Sequence, residues 1–442
     1  MMRLWTSWGY DNSKVMLRNK RVATVAFLIG LSQLPVIWLF TQSSKLGGIQ
    51  YATGNILGIA GAVFMWWQFL LGIRFISRFI TRDYVAILKL HKFLGKYGVL
   101  LALIHPFWQV YNYSDWKLLL LPKLTTEFYS NVLFGQGAFV LLSLIWILSA
   151  LFRSKIRFRP WLYIHYLVYP AMAMVFLHSR AIGTFLNTIP GMELYWNFLL
   201  LTFCVVVIYR IANLFNLGRA IYRLNRKETK SDGITIYTFM PVRGRIQSKI
   251  GQFAYIRPRF FAEAHPFTVM KYDRERGNLT FGIKAVGPFT NQLEKLTVGD
   301  KVYLDGPYGV FTTEGQSNAP KVVFAGGIGI TPFVELIKRF GGKRTIMFYA
   351  NKVLENAIFR EEFKQELQTN YIDAISQEKV KDKLIIEGRI TQEVIKKFVP
   401  QDYLDHANFF LCGPPPFMAA IQIALVSLGV SKEKIYSEEF GL

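Results

Sequence analysis

Long apolar stretches separated by short basic ones dominate the first half of the chain. Six segments are long and apolar enough to cross a hydrocarbon core of about 30 Å, which takes roughly 20 helical residues each. They are Val22–Phe40, Asn55–Ile73, Ala86–Trp108, Leu133–Phe152, Trp161–His178 and Leu194–Leu214. From about Asp232 the pattern changes to short β-branched and aromatic runs with turns between them: Gly233–Phe239, Gln252–Arg257, Pro266–Lys271, Leu279–Lys284 and Lys301–Leu304. Runs spaced in this way predict a small antiparallel barrel. After Lys321 apolar strands alternate with helical stretches, Val322–Ala325, Glu335–Phe340, Thr345–Ala350, Phe409–Leu411 and Phe417–Leu428. That alternation implies a parallel sheet flanked by helices.

Charge orients the first half. Residues 1–220 carry a net +16 and the remainder +7 of the total +23. Arg3, Lys14, Arg18, Lys20 and Arg21 precede the first span, Arg74, Arg78 and Arg82 follow the second, Arg153, Lys155, Arg157 and Arg159 the fourth, and Arg219, Arg223, Arg226 and Lys227 the sixth. All four groups fall on one side of a six-span arrangement, and the other loops are close to neutral. Short cytoplasmic loops are enriched in Lys and Arg, so both termini are expected in the cytoplasm of a multi-pass plasma-membrane protein. The basic residues alternate with apolar runs instead of forming one wet face, which excludes a nucleic-acid binder. With only Cys204 and Cys412 there is no disulfide framework. The apolar run after residue 21 is too long for a signal-peptide core and reads as a retained anchor. Trp5, Trp8 and Tyr10 suit either an interfacial helix or a loose tail.

Four of the six histidines lie in two spans, His91 and His105 in the third and His165 and His178 in the fifth. A lone intramembrane histidine is usually a packing residue; two sets of two are another matter. Separations of 14 and 13 residues correspond to about 21 and 20 Å of helix. Side by side, the two helices would set His91 opposite His165 and His105 opposite His178, one pair toward each face. Two neutral imidazoles on opposite sides of a planar macrocycle are the axial ligands of a haem b, whereas zinc wants three or four ligands about one point. Fourteen residues return an ideal helix to nearly the same face; thirteen do not. Pro170, between His165 and His178, is expected to kink its helix and bring the second ring round.

The junction of the first parallel strand with its helix reads Gly326-Gly327-Ile328-Gly329-Ile330-Thr331-Pro332. Glycines there let backbone approach a pyrophosphate, and the amino end of the next helix supplies free N–H groups. By itself this is also a tight turn of any α/β protein. It stands in company: His265-Pro266-Phe267-Thr268 opens a strand, Gly287-Pro288-Phe289-Thr290 meets a short helix, and Cys412-Gly413-Pro414-Pro415 closes a late strand.

Taken in order, these histidine spacings and motifs over about residues 20–442 resemble the ferric reductase and NADPH oxidase superfamily, most closely its compact bacterial members. The resemblance implies four parts: a cytoplasmic segment 1–21, a six-helix di-haem membrane domain 22–217, an FAD-binding β-barrel domain 218–318 and a Rossmann-like NAD(P)H-binding α/β domain 319–442, the last two forming a ferredoxin-reductase-like module. It implies that Phe267 lies beside the isoalloxazine, that Thr268 sets its hydroxyl near the flavin's reactive nitrogen, and that His265, Lys284 and Thr290 serve the FAD phosphates, with Pro266 and Gly287 in the same motifs. Gly326, Gly327, Gly329, Thr331 and Pro332 would hold the dinucleotide; Cys412, Gly413 and Pro414 would lie beside its reactive ring, and Phe440 would cover the flavin. Each has a plainer reading: Phe267 as barrel core, Thr290 as a helix cap, Cys412 as a buried small hydrophobe, His265 as a strand-end hydrogen-bonder.

The expected function is transfer of electrons from cytoplasmic NADPH or NADH through FAD and two haem b groups to an extracytoplasmic acceptor. Dioxygen giving superoxide is the first candidate acceptor and a ferric chelate the second. A histidine-lined metal transporter with a regulatory flavin domain is a third reading. The sequence shows no obligatory protein partner, and Asn351, Lys352 and Glu355 leave the choice of dinucleotide open.

Overall fold

The computed structural model describes residues 23–42, 48–74, 84–231, 233–312, 315, 317–379 and 385–439. Phe440, the N-terminal aromatics and basic cluster, and Arg78 and Arg82 lie outside them. The chain divides into two compact units, Met1–Ile211 and Ala212–Leu442.

In the first unit, α1 runs Ala23–Thr41, α2 Ile49–Leu71, α3 Tyr84–Tyr97, α4 Val99–Asn112, α5 Glu127–Leu151, α6 Phe158–Ile182 and α7 Met192–Leu214. Five of these are long and apolar enough to span a membrane. The expected third span, Ala86–Trp108, is instead two 14-residue helices, α3 and α4, meeting at Gly98. Lys89, Lys92 and Lys96 make the first half polar, while the Gly98 backbone stays right-handed helical (φ −69°). A β-carbon on Gly98 would lie 3.0 Å from Phe64 Cβ, so α2 crosses there at a distance only glycine permits. The same helix pair is in close contact elsewhere: a β-carbon on Gly61 would come within 2.3 Å of the Ala102 nitrogen. Small residues at such crossings let membrane helices pack backbone to backbone. Val63, Met65, Phe69, Met172, Phe176, Trp196 and Phe203 form the central core.

Helix α6 is broken at Tyr166–Leu167, where Leu167 and Tyr169 donate to the carbonyls three residues back, Ile164 and Tyr166, at 3.0 and 3.1 Å. The break precedes Pro170, which has no N–H to continue the ladder. Tighter winding adds rotation per residue, in the sense needed to bring His178 toward the face of His165.

The second unit holds two sheets. Strands β1 (Ala220–Ser231), β2 (Ile234–Arg243), β3 (Phe253–Arg257), β4 (His265–Thr268), β5 (Lys271–Tyr272), β6 (Leu279–Lys284) and β7 (Lys301–Tyr308) form an antiparallel sheet in the order β4-β3-β7-β1-β2-β6-β5. Tyr222, Leu224, Phe239, Ile256, Phe281 and Leu304 share its core. The second sheet is parallel, in the order β11-β10-β9-β8-β12-β13, from β8 (Lys321–Gly326), β9 (Thr345–Asn351), β10 (Tyr371–Ile375), β11 (Ile385–Glu387), β12 (Asn408–Gly413) and β13 (Ile435–Glu439). Strand β1 lies where the sequence reads as a basic post-membrane loop. Tyr222 and Leu224 are buried in its core face while Arg223, Arg226 and Lys227 are exposed to water. The run Pro266–Lys271 is two strands separated by buried Val269 and Met270.

Candidate functional site

In the first unit the break in α6 and the α3–α4 pair place the four histidines as two pairs. Ring centroids are 6.3 Å apart for His91 and His165 and 6.5 Å apart for His105 and His178. A metal–imidazole bond is about 2 Å and a ring centre lies about 1.1 Å from its nitrogen, so two imidazoles on opposite sides of one ion have centroids about 6 Å apart. The pairs have that separation.

The His105–His178 pair is cradled. His105 Nδ1 is 2.6 Å from the Gly54 carbonyl and His178 Nδ1 3.2 Å from the Asn131 carbonyl. A carbonyl can only accept, so each Nδ1 carries the proton and each Nε2 keeps its lone pair, the arrangement of a metal-ligating histidine. A β-carbon on Gly58 would lie 2.8 Å from His105 Nδ1, and one on Gly135 would lie 2.7 Å from His178 Nδ1. Each ring therefore lies on a bare stretch of a neighbouring helix. The pair lines a pocket whose polar side chains include Tyr51, Asn55, Gln109, Tyr113 and Gln136 and whose lining contains no Asp, Glu, Lys or Arg.

At the His91–His165 pair, Trp161 stacks on His165 at 4.9 Å and Arg153 lies over the Trp161 ring at 4.4 Å. The Gln68 amide lies 3.0 Å from His91 Nδ1, and the buried His165 Nδ1 has no partner. Arg210, near the end of α7, donates to the Gly72 carbonyl at 2.6 Å and has its buried Nε unsatisfied, leaving a cation available to an anionic group. The facing imidazoles fit a bis-imidazole macrocycle at both levels, and glycine cradles support the His105–His178 pair. No cluster of three or more His, Cys, Asp or Glu occurs among the described residues, so a many-ligand metal cage is absent there. Sequence reading missed Gly54, Gly58, Gly135, Gln68 and Arg210. The Gly54-x-x-x-Gly58 spacing and a charge inside an apolar span were the available signals.

In the second unit, β8 and β12 are parallel neighbours with Ala325 opposite Cys412, so Gly326, Gly327, Cys412 and Gly413 share the carboxyl end of the sheet, where ligands of open α/β folds bind. The segment Gly327–Phe333 is wound as a 3-10 helix, and the α-helix Val334–Phe340 starts only after it. Gly329 is needed for packing, because a β-carbon there would lie 2.3 Å from the Cys412 carbonyl oxygen. Gly327, at φ +54° with open space before it, is the one free to let a phosphate approach. Thr331 and Pro332 are buried, with the Thr331 hydroxyl on the Ile328 carbonyl at 3.2 Å. Pro414 caps the helix Pro415–Ser427.

Strand β13 sets Glu438 opposite Cys412, whose sulfur lies 3.6 Å from the Glu438 carbonyl. Burial, with the Glu438 charge adding to it, pushes the Cys412 thiol well above its ordinary pKa. A chain of contacts leads from there to the first sheet. A β-carbon on Gly309 would lie 3.6 Å from Glu438 Oε1 and 3.0 Å from the Phe253 ring, and Phe253 pairs with Thr268. Thr268 is 3% exposed and its hydroxyl is without a partner, the one orphaned hydroxyl of the His265–Thr268 strand; this fits a flavin acceptor atom beside it. Phe267 packs on the sheet core and stacks with Phe289 at 5.9 Å, while His265 stacks on Phe289 at 4.0 Å and meets Glu263 at 3.3 Å. Lys284 is half-buried at the end of β6. Thr290 takes the plainer of its two expected places: its hydroxyl accepts from the Gly287 and Val286 amides at 3.0 and 2.9 Å and donates to the Gly287 carbonyl, as a helix cap does.

Comparison with known proteins matches three families along the chain. Residues 57–176 match the ferric reductase like transmembrane component, 222–313 the oxidoreductase FAD-binding domain and 323–422 the oxidoreductase NAD-binding domain. Curated relatives include flavohemoprotein A of Dictyostelium discoideum, 32% identical over 35% of this chain and 39% of its own. NADH-cytochrome b5 reductase 2 of Mycosarcoma maydis is 30% identical over 35% of this chain and 48% of its own. The chain thus spans less than half the length of these two relatives. Among solved structures, the FAD/NAD-binding domain of nitric oxide dioxygenase from Vibrio cholerae is 21% identical with a TM-score of 0.44, covering 50% of this chain and 99% of that one. A ferredoxin NADP+ reductase from Neisseria gonorrhoeae is 16% identical with a TM-score of 0.43, over 50% of this chain and 98% of that one.

Proposed function

Because the chain belongs to the ferric reductase and NADPH oxidase superfamily, we propose that it is a transmembrane oxidoreductase moving electrons from cytoplasmic NAD(P)H to an acceptor across the membrane, holding FAD and two haem b groups. The observation that carries this reading is the two imidazole pairs at 6.3 and 6.5 Å within one apolar bundle. When bound, a flavin converts a hydride donor into single electrons and a bis-imidazole haem passes them one at a time.

The protein's part is placement. His91 with His165 and His105 with His178 would hold the two macrocycles, with the Gly54 and Asn131 carbonyls fixing which outer nitrogens carry protons. The Gly58 and Gly135 cradles lock ring position. Thr268 would donate its unsatisfied hydroxyl to the flavin, and Gly326, Gly327 and Gly413 would admit the dinucleotide, with Cys412 held neutral beside its reactive ring. A neutral thiol neither repels the departing hydride nor competes as a nucleophile.

Dioxygen is the acceptor this site supports best. The lining of the outer cavity is free of charged side chains, which suits a small neutral oxidant. Of the outer-loop acids, Asp115 pairs with Lys123 at 2.5 Å and Glu193 with Arg180 at 3.9 Å, and with Glu127 they form no ferric-gathering cluster among the described residues.

Purified protein is expected to show a Soret band that NAD(P)H reduces, and superoxide formation in air that superoxide dismutase intercepts. Preparations that stay colourless after haem supplementation would overturn the proposal. Anaerobic turnover of ferric chelate at a rate equal to that in air would replace dioxygen with iron.

A further inference from the structure

Helix α7 ends at Leu214, which is 54% exposed. Directly after it come Phe215 and Leu217, 52% and 61% exposed. Asn216, at φ +56°, and Gly218, at φ +78°, turn the chain into β1. The loop after β3 brings two more aromatics to the same place. Phe260 and Phe261 are 40% and 75% exposed, with ring centroids 4.8 Å apart and 6.5 and 6.4 Å from Phe215.

This cluster is held, not frayed. Asn216 is 2% exposed; it donates to the Phe260 carbonyl at 2.9 Å and accepts from Arg257 at 2.8 Å. Arg257 also reaches the Asn213 carbonyl at 3.3 Å. Part-buried polar bonds thus tie the β3–β4 loop to the end of the last spanning helix while its aromatic rings are presented outward. Contiguous exposed apolar surface of this kind marks an interaction site. Continuity of chain says what covers it, since Phe215 is one residue past a helix that crosses the bilayer. Aromatic rings favour the boundary between headgroups and acyl chains, and exposed Arg259 beside Phe260 and exposed Arg223 on β1 match anionic headgroups. The nearby acid, Glu263, is engaged with His265.

We propose that Phe215, Phe260 and Phe261 insert into the leaflet at which α7 ends, with the adjacent arginines on anionic headgroups, so that the nucleotide-binding unit has a second attachment to the membrane besides the covalent one. The proposal rests on α7 crossing the bilayer and not on any electron reaching an acceptor.

The test uses the full chain with Cys204→Ser, buried Cys412 remaining unreactive, and a nitroxide on Phe261→Cys in nanodiscs of phosphatidylcholine with or without phosphatidylglycerol. Val298→Cys, on a 66% exposed turn, serves as the water-facing control. Collision with dioxygen relative to a water-soluble nickel chelate should be several-fold higher at position 261 than at 298, and higher still with phosphatidylglycerol. Equal ratios at the two sites would overturn the proposal, as would shielding from both reagents, which would mean a protein partner or a second copy covers the patch. Phe260→Ser with Phe261→Ser, read by the mobility of a nitroxide on Phe215→Cys, should abolish the lipid dependence while flavin and haem spectra stay unchanged. Colourless protein with an inserted loop would sink the redox reading and leave this one standing.

Discussion

A single residue can carry a role that its chemistry does not suggest. Cys412 stands where the resemblance to oxidoreductases puts a thiol beside nicotinamide, yet its surroundings make it a neutral, fully buried group. Its folded pKa is raised, so the folded state favours the protonated thiol. That contribution to stability is complete below the unfolded value of about 8.5 and is lost as pH rises above it, at up to about 1.4 kcal/mol per pH unit. Thermal unfolding of wild type and Cys412→Ala between pH 7.5 and 10 is expected to diverge on this account, wild type losing stability faster. Iodoacetamide at pH 8 should leave Cys412 unmodified in folded protein, as peptide mass analysis would show; rapid alkylation there would mean an accessible thiolate. Glycines carry the opposite lesson. Gly329 looks like a phosphate glycine and is required by the Cys412 carbonyl 2.3 Å from where its β-carbon would be, while Gly58 and Gly135 look like ordinary membrane packing and are cradles for imidazoles.

At the scale of an element, α6 shows how a defect serves a site. Thirteen residues of ideal helix would point His165 and His178 to different faces, and the tightened turn at Tyr166–Leu167 adds rotation before His178 meets His105. Inserting one alanine between Tyr166 and Leu167 turns everything beyond it by about 100°. That variant is expected to lose the outer haem and keep the inner, so haem per protein, measured as the pyridine haemochrome, falls by about half. Unchanged haem content would mean that the outer ring does not depend on α6 register. The proline was visible in the sequence; the break itself, formed ahead of it by two short-range hydrogen bonds, was not. Strand β1 is a comparable case. Its basic residues read as a positive loop, and only pairing with β2 and β7 shows that Tyr222 and Leu224 among them are core.

At the scale of the whole molecule, the charge asymmetry of the first half makes a topological prediction. With basic groups before α1, after α2, after α5 and after α7, and with α3 and α4 counted as one crossing, both ends are expected in the cytoplasm. Reporter fusions at the C-terminus and in the Asp115–Thr126 loop should give opposite compartments, fluorescence of a cytoplasmic reporter at the first and activity of an exported one at the second. The same compartment for both would require an odd number of crossings between them to be dropped and would break the proposed direction of electron flow.

Two physical regimes, an apolar acid-poor half and an ordinary globular half, were written in the composition. The order of parts followed from periodicity, because burial in lipid and burial in a sheet demand different spacings of apolar residues. The four histidines were also legible, since imidazoles inside a membrane segment are costly and their spacing is a length along a helix. What only the tertiary structure decided was which groups meet. The ring separations of 6.3 and 6.5 Å and the aromatic cluster of Phe215, Phe260 and Phe261 each join residues from separate elements. Contacts of that kind depend on how helices cross and strands pair, and a linear pattern of polarity records which face of an element is buried but not what it is buried against.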